Sequence, residues 1–65
     1  MKIVVNGEAQ DTGAKTLEEL CAALGFADAK VATAVNGDFV PASARRALNL
    51  ADNDRIEIVT PRQGG

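Results

Sequence analysis

Residues 16–26 read TLEELCAALGF and carry a complete helix signal. Thr16 followed three residues later by Glu19 is the pattern of a capping box, in which each side chain bonds the backbone amide of the other residue. Gly25 suits the left-handed end of a helix, and Phe26 can then fold back on the last turn. The stretch therefore predicts a helix over residues 17–24. Leucines and a cysteine recur at helical spacing and form one apolar stripe, which we expect to face the core of the domain. The stripe consists of Leu17, Leu20, Cys21 and Leu24.

A strand hairpin is predicted on each side of this helix. Asn6-Gly7 follows the β-branched segment 2–5 and precedes a short polar return strand over 8–12. Asn36-Gly37 follows the alternating segment 31–35 and precedes a return strand at 39–40, which Pro41 stops. Asn-Gly accepts the positive φ angles of a type I′ turn, the tightest hairpin connection.

The last predicted strand is Arg55–Val59, which alternates strictly. Ile56 and Ile58 share one face of it, and Arg55, Glu57 and Val59 share the other. Residues 42–50 give a mixed signal, and we expect an irregular segment with one helical turn that points Leu48 and Leu50 inward. The order hairpin, helix, hairpin, strand predicts an α+β fold of two layers. We expect a single domain over residues 1–60 and a flexible tail over residues 61–65.

Composition excludes several kinds of function. The 65 residues include no His, Trp or Tyr and one Cys, so a histidine-based catalytic triad and a thiolate or imidazole zinc cage are excluded. A net charge of −2 without a basic cluster argues against nucleic-acid binding. One cysteine cannot form an internal disulfide, and no apolar run is long enough for a membrane span or signal peptide. We therefore expect a cytoplasmic protein without membrane attachment, bound metal or bound cofactor.

The polar candidates for chemistry each have a plainer structural interpretation. Glu18 with Glu19, and Asp52 with Asp54, are paired carboxylates of the kind used in acid–base or metal sites. Negative charge at a helix N-terminus explains the first pair, and turn formation explains the second. We favour this structural interpretation for both pairs. Cys21 is either a sulfur acceptor or redox thiol, or a buried core residue. Its place on the apolar stripe favours the core residue.

The end of the sequence is the strongest functional candidate. Residues 60–65 read TPRQGG directly after the last strand, and six extended residues reach roughly 20 Å. Glycine has no Cβ, so Gly64 and Gly65 can thread a narrow channel in a partner, with Arg62 and Gln63 behind them. A terminal carboxylate is ionised at neutral pH and is a poor acyl electrophile, so a partner enzyme would have to activate it. These features predict a chain that is acted upon.

Four stretches carry a family resemblance: IVVNGE at 3–8, TLEELCAALGF at 16–26, VATAVNGDFVP at 31–41 and DRIEIVTPRQGG at 54–65. The sequence resembles the small sulfur carriers of thiamine-thiazole biosynthesis, the ThiS-like group of the β-grasp, ubiquitin-like superfamily. Residues 42–52 are the least similar, and Asn53 stands where a glycine is commoner. The resemblance implies a mixed sheet of about five strands around one main helix. It also implies that the first and last strands are adjacent and parallel at the sheet centre.

The resemblance also implies a mechanism centred on Gly65. An E1-like adenylyltransferase (ThiF-like) would use ATP to adenylate its carboxylate. A sulfurtransferase or cysteine desulfurase would then supply sulfur for a thiocarboxylate. Thiazole synthase (ThiG-like) would take that sulfur. Strand alternation, with related sheets as the guide, predicts a partner-docking patch on the open sheet face, formed by Ala32, Ala34, Glu57 and Val59.

Alternatives remain open at the level of the sequence. A carrier for molybdopterin synthesis or tRNA thiolation would carry sulfur on the same residue. A ubiquitin-like modifier would end in an isopeptide bond to lysine. A regulatory β-grasp module would leave the tail unused.

Overall fold

In the part of the chain that the structure describes, the strands form one sheet that packs with one face against a single short α-helix. A computed structural model describes residues 1–27 and 30–60. The first hairpin is β1 (Lys2–Val5) and β2 (Glu8–Asp11), followed by helix α1 (Leu17–Ala23). The second hairpin is β3 (Ala32–Val35) and β4 (Asp38–Val40). A 3₁₀ segment (Ala42–Ala47) then leads to β5 (Arg55–Val59). The predicted α-helix and strands are all present, with ends shifted by at most one residue, whereas the single helical turn expected within 42–50 is a 3₁₀ segment of six residues.

The strands form one five-stranded mixed sheet in the order β2-β1-β5-β3-β4. β1 and β5 are parallel, with Val4 paired to Arg55 and Val5 to Ile56. The other neighbours are antiparallel. The prediction that the first and last strands are adjacent and parallel at the centre is confirmed, and the architecture is that of a β-grasp fold. β5, the strand before residues 61–65, is therefore held on both sides.

The capping box at the start of α1 differs in one partner from its prediction. The Thr16 hydroxyl accepts from the Glu19 amide at 3.2 Å, as expected. The Glu19 carboxylate, however, accepts from the Lys15 amide at 2.8 Å and not from the Thr16 amide. Thr16 is paired across an antiparallel bridge with Asn49, which fixes the chain as it enters the helix and leaves the Lys15 amide within reach. Both bonds satisfy amides near the helix N-terminus.

The end of α1 follows the prediction closely. The helix ends at Ala23, and Gly25 adopts a φ of 91°, which a residue without Cβ accepts at no steric cost. The Phe26 amide then donates to the Cys21 carbonyl at 2.8 Å. This closure turns the chain back, and the partly buried Phe26 packs against the core.

The core lies between α1 and one face of the sheet. Its apolar members come from every strand except β2, and from the helix and the segment before β5: Ile3, Val5, Leu17, Leu20, Cys21, Val35, Val40, Leu50, Ile56 and Ile58. Leu50 is buried and Leu48 half-buried, so both point inward as expected. Thr33 is the buried polar residue among those described, and its hydroxyl donates to the Val40 carbonyl at 2.7 Å.

Arg45 fastens the 3₁₀ segment to the second hairpin. Its Nε donates to the Thr33 hydroxyl at 3.0 Å, and a terminal guanidinium nitrogen donates to the Val31 carbonyl at 2.6 Å. In the sequence Arg45 is followed by Arg46, and that pattern gives no indication of these bonds. In the structure the planar guanidinium directs two donors at once, to Thr33 and to Val31, which the compact ammonium of a lysine would do less well.

Both hairpin turns have the geometry predicted for Asn-Gly. Asn6 and Gly7 have φ values of 50° and 86°, and Asn36 and Gly37 have values of 52° and 88°. Positive φ at both central residues is the requirement of a type I′ turn. Asn53 adopts a φ of 70°, so it meets the same local demand as a glycine there, and the strand pairing around it is retained.

Candidate functional site

The predicted sulfur-carrying residue and the residues behind it fall at the end of the chain. Gly65, Gly64, Gln63 and Arg62 lie outside the described residues. The structure describes the strand that precedes them, up to the exposed residue Thr60. Because β5 pairs with β1 and β3, the point from which residues 61–65 begin is fixed to the centre of the sheet.

The four predicted docking residues share the sheet face opposite α1. Ala32 pairs with Val59 and Ala34 pairs with Glu57 across β3 and β5. Ala32, Glu57 and Val59 are exposed, and Ala34 is partly exposed. No element of residues 1–27 and 30–60 covers this face. The structure thus brings these four residues together beside the start of the tail.

Phe39 extends this patch and was missed in the sequence. It pairs with Ala34 across β3 and β4, and its side chain is 69% exposed. Val59 is 61% exposed on the same face. The signal was present in the alternation of β4, because an inward Val40 requires an outward Phe39. We define the open-face patch as Ala32, Ala34, Phe39, Glu57 and Val59.

A shallow apolar depression lies at the edge of the open-face patch. It has a volume of about 420 Å³ and is lined by Lys30, Val31, Ala32 and Val59. Val31, Ala32 and Val59 present small and aliphatic side chains there, so the depression suits an apolar side chain of a partner. The depression lies beside the last residue of β5, from which the tail begins.

Cys21 belongs to α1, on the opposite side of the sheet from the open-face patch, and its side chain is part of the core. Its side chain is 4% exposed. Burial raises the pKa of the Cys21 thiol, an effect that the nearby Arg45 guanidinium reduces and Glu18 slightly reinforces. The neutral thiol is the favoured form, and a neutral thiol is a poor nucleophile. The prediction of a buried core cysteine is confirmed.

Alkylation of Cys21 is therefore expected to be slow in the folded protein. In mildly alkaline buffer, iodoacetamide should modify the native chain far more slowly than the urea-unfolded chain, because folding both buries the sulfur and disfavours its thiolate. Intact mass spectrometry measures both rates in parallel. Equal rates for the native and unfolded chains would show that Cys21 is accessible and reactive.

Three of the four paired carboxylates accept hydrogen bonds from backbone amides. Asp52 accepts from the Lys2 amide at 3.0 Å, Asp54 accepts from the Ala51 amide at 2.8 Å, and Glu19 caps α1. Over residues 1–27 and 30–60, no three side chains of His, Cys, Asp or Glu are grouped to hold a metal ion. The helix in that part of the chain is also too short and insufficiently apolar to cross a membrane.

The fold, the tail position and the sequence pattern agree with a comparison to family models. Residues 3–65 match the model of the ThiS family. The chain belongs to the ThiS family. The match runs through the Gly-Gly terminus as well as the sheet, so it covers the candidate carrier residue itself.

Solved structures of a ThiS protein resemble this chain along its whole length. The crystal structure of thiamine biosynthesis protein ThiS from Geobacter metallireducens is 33% identical, with a TM-score of 0.80 and complete coverage of both chains. The solution structure of a thiamine biosynthesis protein from the same organism is 30% identical, with a TM-score of 0.79. It covers all of this chain and 88% of that one.

A longer relative also contains a ThiS-like segment. A protein named thiazole synthase from Paramagnetospirillum magneticum is 39% identical over 66 residues, which cover all of this chain. The chain spans 20% of the length of that relative. A ThiS-like segment therefore occurs there within a protein about five times longer.

Proposed function

We propose that this ThiS-family chain is a sulfur carrier of thiamine biosynthesis and that its cargo is a thiocarboxylate on Gly65. The observation that carries the proposal is the family match, which spans both the fold and the Gly-Gly terminus. The absence of histidine and the burial of the only cysteine support the same view. A chain that has no histidine and whose one cysteine is buried is suited to be a protein substrate rather than a catalyst.

The proposed chemistry activates the carboxylate before sulfur is added. A carboxylate oxygen of Gly65 attacks the α-phosphorus of ATP in an E1-like adenylating enzyme, and pyrophosphate leaves. The outer sulfur of a persulfide, held by a sulfurtransferase or desulfurase, then attacks the acyl carbon and AMP leaves. A thiol then attacks the enzyme-bound sulfur of the resulting acyl disulfide, so that a new disulfide forms and the thiocarboxylate leaves. Adenylation is needed because an ionised carboxylate resists attack by a nucleophile.

Thiazole synthase is the proposed recipient of the sulfur. The support is the relative of that name, which contains a segment similar to this entire chain. Joining carrier and recipient in one polypeptide raises their effective concentration for each other. Separate chains must obtain the same encounter from a docking surface.

The open-face patch is the proposed docking surface for these partners. It is exposed, it is adjacent to the start of the tail, and Phe39 offers an aromatic side chain of the type that dominates interface energies. Ala32 and Ala34 present little bulk, so a partner surface can approach the sheet closely. Arg62 is proposed to contact an acidic groove that receives the tail.

Phe39→Asp is expected to weaken docking without unfolding the chain. Phe39 is exposed, so the variant should keep the wild-type circular dichroism spectrum. A charge within the patch should raise the KM of the adenylating enzyme for this chain at least about tenfold, equivalent to about 1.4 kcal/mol. Ser43→Asp adds the same charge at an exposed position of the 3₁₀ segment and should leave KM unchanged. Equal KM values for the two variants would contradict docking at this patch.

The assignment to thiamine biosynthesis is tested by comparing adenylating enzymes. Exchange of labelled pyrophosphate into ATP, dependent on this chain, is expected with the adenylating enzyme of the thiamine pathway. Activation only by the corresponding enzyme of molybdopterin synthesis would contradict the assignment. Covalent conjugates of this chain on lysines of other proteins would favour the modifier alternative.

A further inference from the structure

The side chains of the two turn asparagines do more than permit tight hairpins. Asn6 Oδ1 accepts from the Ile58 amide at 2.9 Å, and Asn6 Nδ2 donates to the Ile58 carbonyl at 3.1 Å. The Asn6 carboxamide thus pairs with both the amide and the carbonyl of Ile58, as the backbone of one more β1 residue would. It connects the first hairpin to β5 across 52 residues of sequence.

Asn36 makes the corresponding connection from the second hairpin. Its Oδ1 accepts from the Arg55 amide at 2.9 Å, and its Nδ2 donates to Asp54 Oδ1 at 2.9 Å. Asp54 Oδ2 accepts from the Ala51 amide at 2.8 Å. Because a backbone amide only donates, the orientation of the Asn36 carboxamide is fixed and its nitrogen must face Asp54. The same argument fixes the Asn6 carboxamide.

Asn-Gly is also a sequence with its own covalent chemistry. The backbone nitrogen of the glycine attacks the carboxamide carbon of the asparagine, because glycine has no side chain to obstruct the approach. The bond from that carbon to the amide nitrogen breaks, and ammonia leaves with the glycine amide proton. Water then opens the resulting succinimide to aspartate or isoaspartate. Asparagine is among the thermally labile residues for this reason.

We propose that Asn36 and Asn6 are deamidation sites, that Asn36 reacts first in the folded protein, and that the reaction loosens β5. The order of deamidation follows from the solvent exposure of the hydrogen bonds that hold each carboxamide. Both bonds of the Asn36 carboxamide are exposed to solvent, whereas those of Asn6 are partly buried against the central strand. Release of the carboxamide, which must precede attack, is therefore easier at Asn36.

The loss of attachment follows from the chemistry of the product. An aspartate at position 36 places a carboxylate oxygen where the nitrogen now lies 2.9 Å from the Asp54 carboxylate. Like charges so close repel, and the donor that joined them has gone. At position 6 the new oxygen would face the Ile58 carbonyl, another acceptor. Isoaspartate also adds a backbone atom to a two-residue turn, which disrupts the strand register that the turn sets.

Peptide mapping of the full folded chain tests the sites and their order. During incubation at mildly alkaline pH, the peptide containing Asn36 should first gain the mass of amide-to-acid conversion and yield isoaspartate. The peptide containing Asn6 should follow more slowly. Asn36→Gly keeps a residue suited to positive φ and should gain no mass at that turn. Conversion only in the urea-unfolded chain, or at Asn6 before Asn36, would overturn the proposal.

A charge exchange tests the effect on β5 independently of the rate of deamidation. Asn36→Asp should lower the urea midpoint of unfolding. The double variant Asn36→Asp with Asp54→Asn should recover most of that loss. In it, the amide oxygen at position 54 accepts from Ala51, and the amide nitrogen donates to the carboxylate at position 36. A wild-type midpoint for Asn36→Asp alone, or no recovery in the double variant, would overturn the loosening of β5.

Discussion

Deletion of Gly65 is expected to abolish thiocarboxylate formation while leaving the fold intact. β5 fixes the start of the tail, and the open-face patch is proposed to dock on the partner, so the distance from the patch to the carboxylate is set by tail length. Removing one residue shortens the greatest reach of the tail by about 3.3 Å. A misplacement of about 1 Å already costs about 100-fold in rate.

The measurement is the rate of chain-dependent pyrophosphate exchange, with circular dichroism as the check on folding. We expect a loss of at least about 100-fold for the deletion. Thr60→Ala alters an exposed residue just after β5 without changing the length of the chain, and it should retain the wild-type rate. Exchange by the deletion variant at the rate of Thr60→Ala would show that the position of the terminal carboxylate is unimportant.

Ile56→Ala is expected to remove much of the stability of the domain. Ile56 is 1% exposed and belongs to β5, between β1 and β3. Large-to-small substitutions of this kind cost about 2–5 kcal/mol, because they leave a cavity as well as losing buried area. A chain of 65 residues has roughly 3–10 kcal/mol of total stability, so the variant should lose a large share of it and unfold at a clearly lower urea concentration.

Val59→Ala is the matched control for that substitution, because it lies in the same strand and is 61% exposed. It should change the free energy of unfolding by less than about 0.5 kcal/mol. Urea unfolding followed by circular dichroism gives both values. Similar urea midpoints for the two variants would mean that the alternation of β5 does not separate the core from the open face.

Local signals were sufficient for most elements of the fold. The cap, the apolar stripe and Gly25 each act within a few residues, so they determine α1 largely by themselves. The two Asn-Gly pairs likewise set hairpin geometry through their own φ preferences. Alternation within β5 assigned Ile56 and Ile58 to the core and Glu57 and Val59 to the open face. These are short-range effects that one sequence contains.

Contacts between segments far apart in the sequence could not be predicted from local residue patterns. Nothing local in residues 2–5 specifies a parallel partner at residues 55–59, and that expectation came from the family resemblance. The bonds of Arg45 to Thr33 and Val31 join segments whose mutual approach depends on the completed fold. The Glu19 bond to Lys15 likewise depends on the bridge between Thr16 and Asn49.

The candidate site divides in the same way. The open-face patch could be assigned from alternation, and Phe39 was missed although the inward Val40 beside it carried the information. The role proposed for Gly65 would depend on chemistry supplied by other proteins, which no side chain of this sequence encodes. Its support therefore comes from the family and from the position of the tail after the central strand.

Intact mass spectrometry with fragmentation of the C-terminus tests the sulfur-carrier proposal most directly. The chain is incubated with ATP, the adenylating enzyme of the thiamine pathway and a persulfide donor, and with each component omitted in turn. The proposal predicts that the mass increases by the difference between one sulfur and one oxygen atom. The change should be located on Gly65 and should require every component. An unchanged mass, or sulfur located on Cys21, would contradict it.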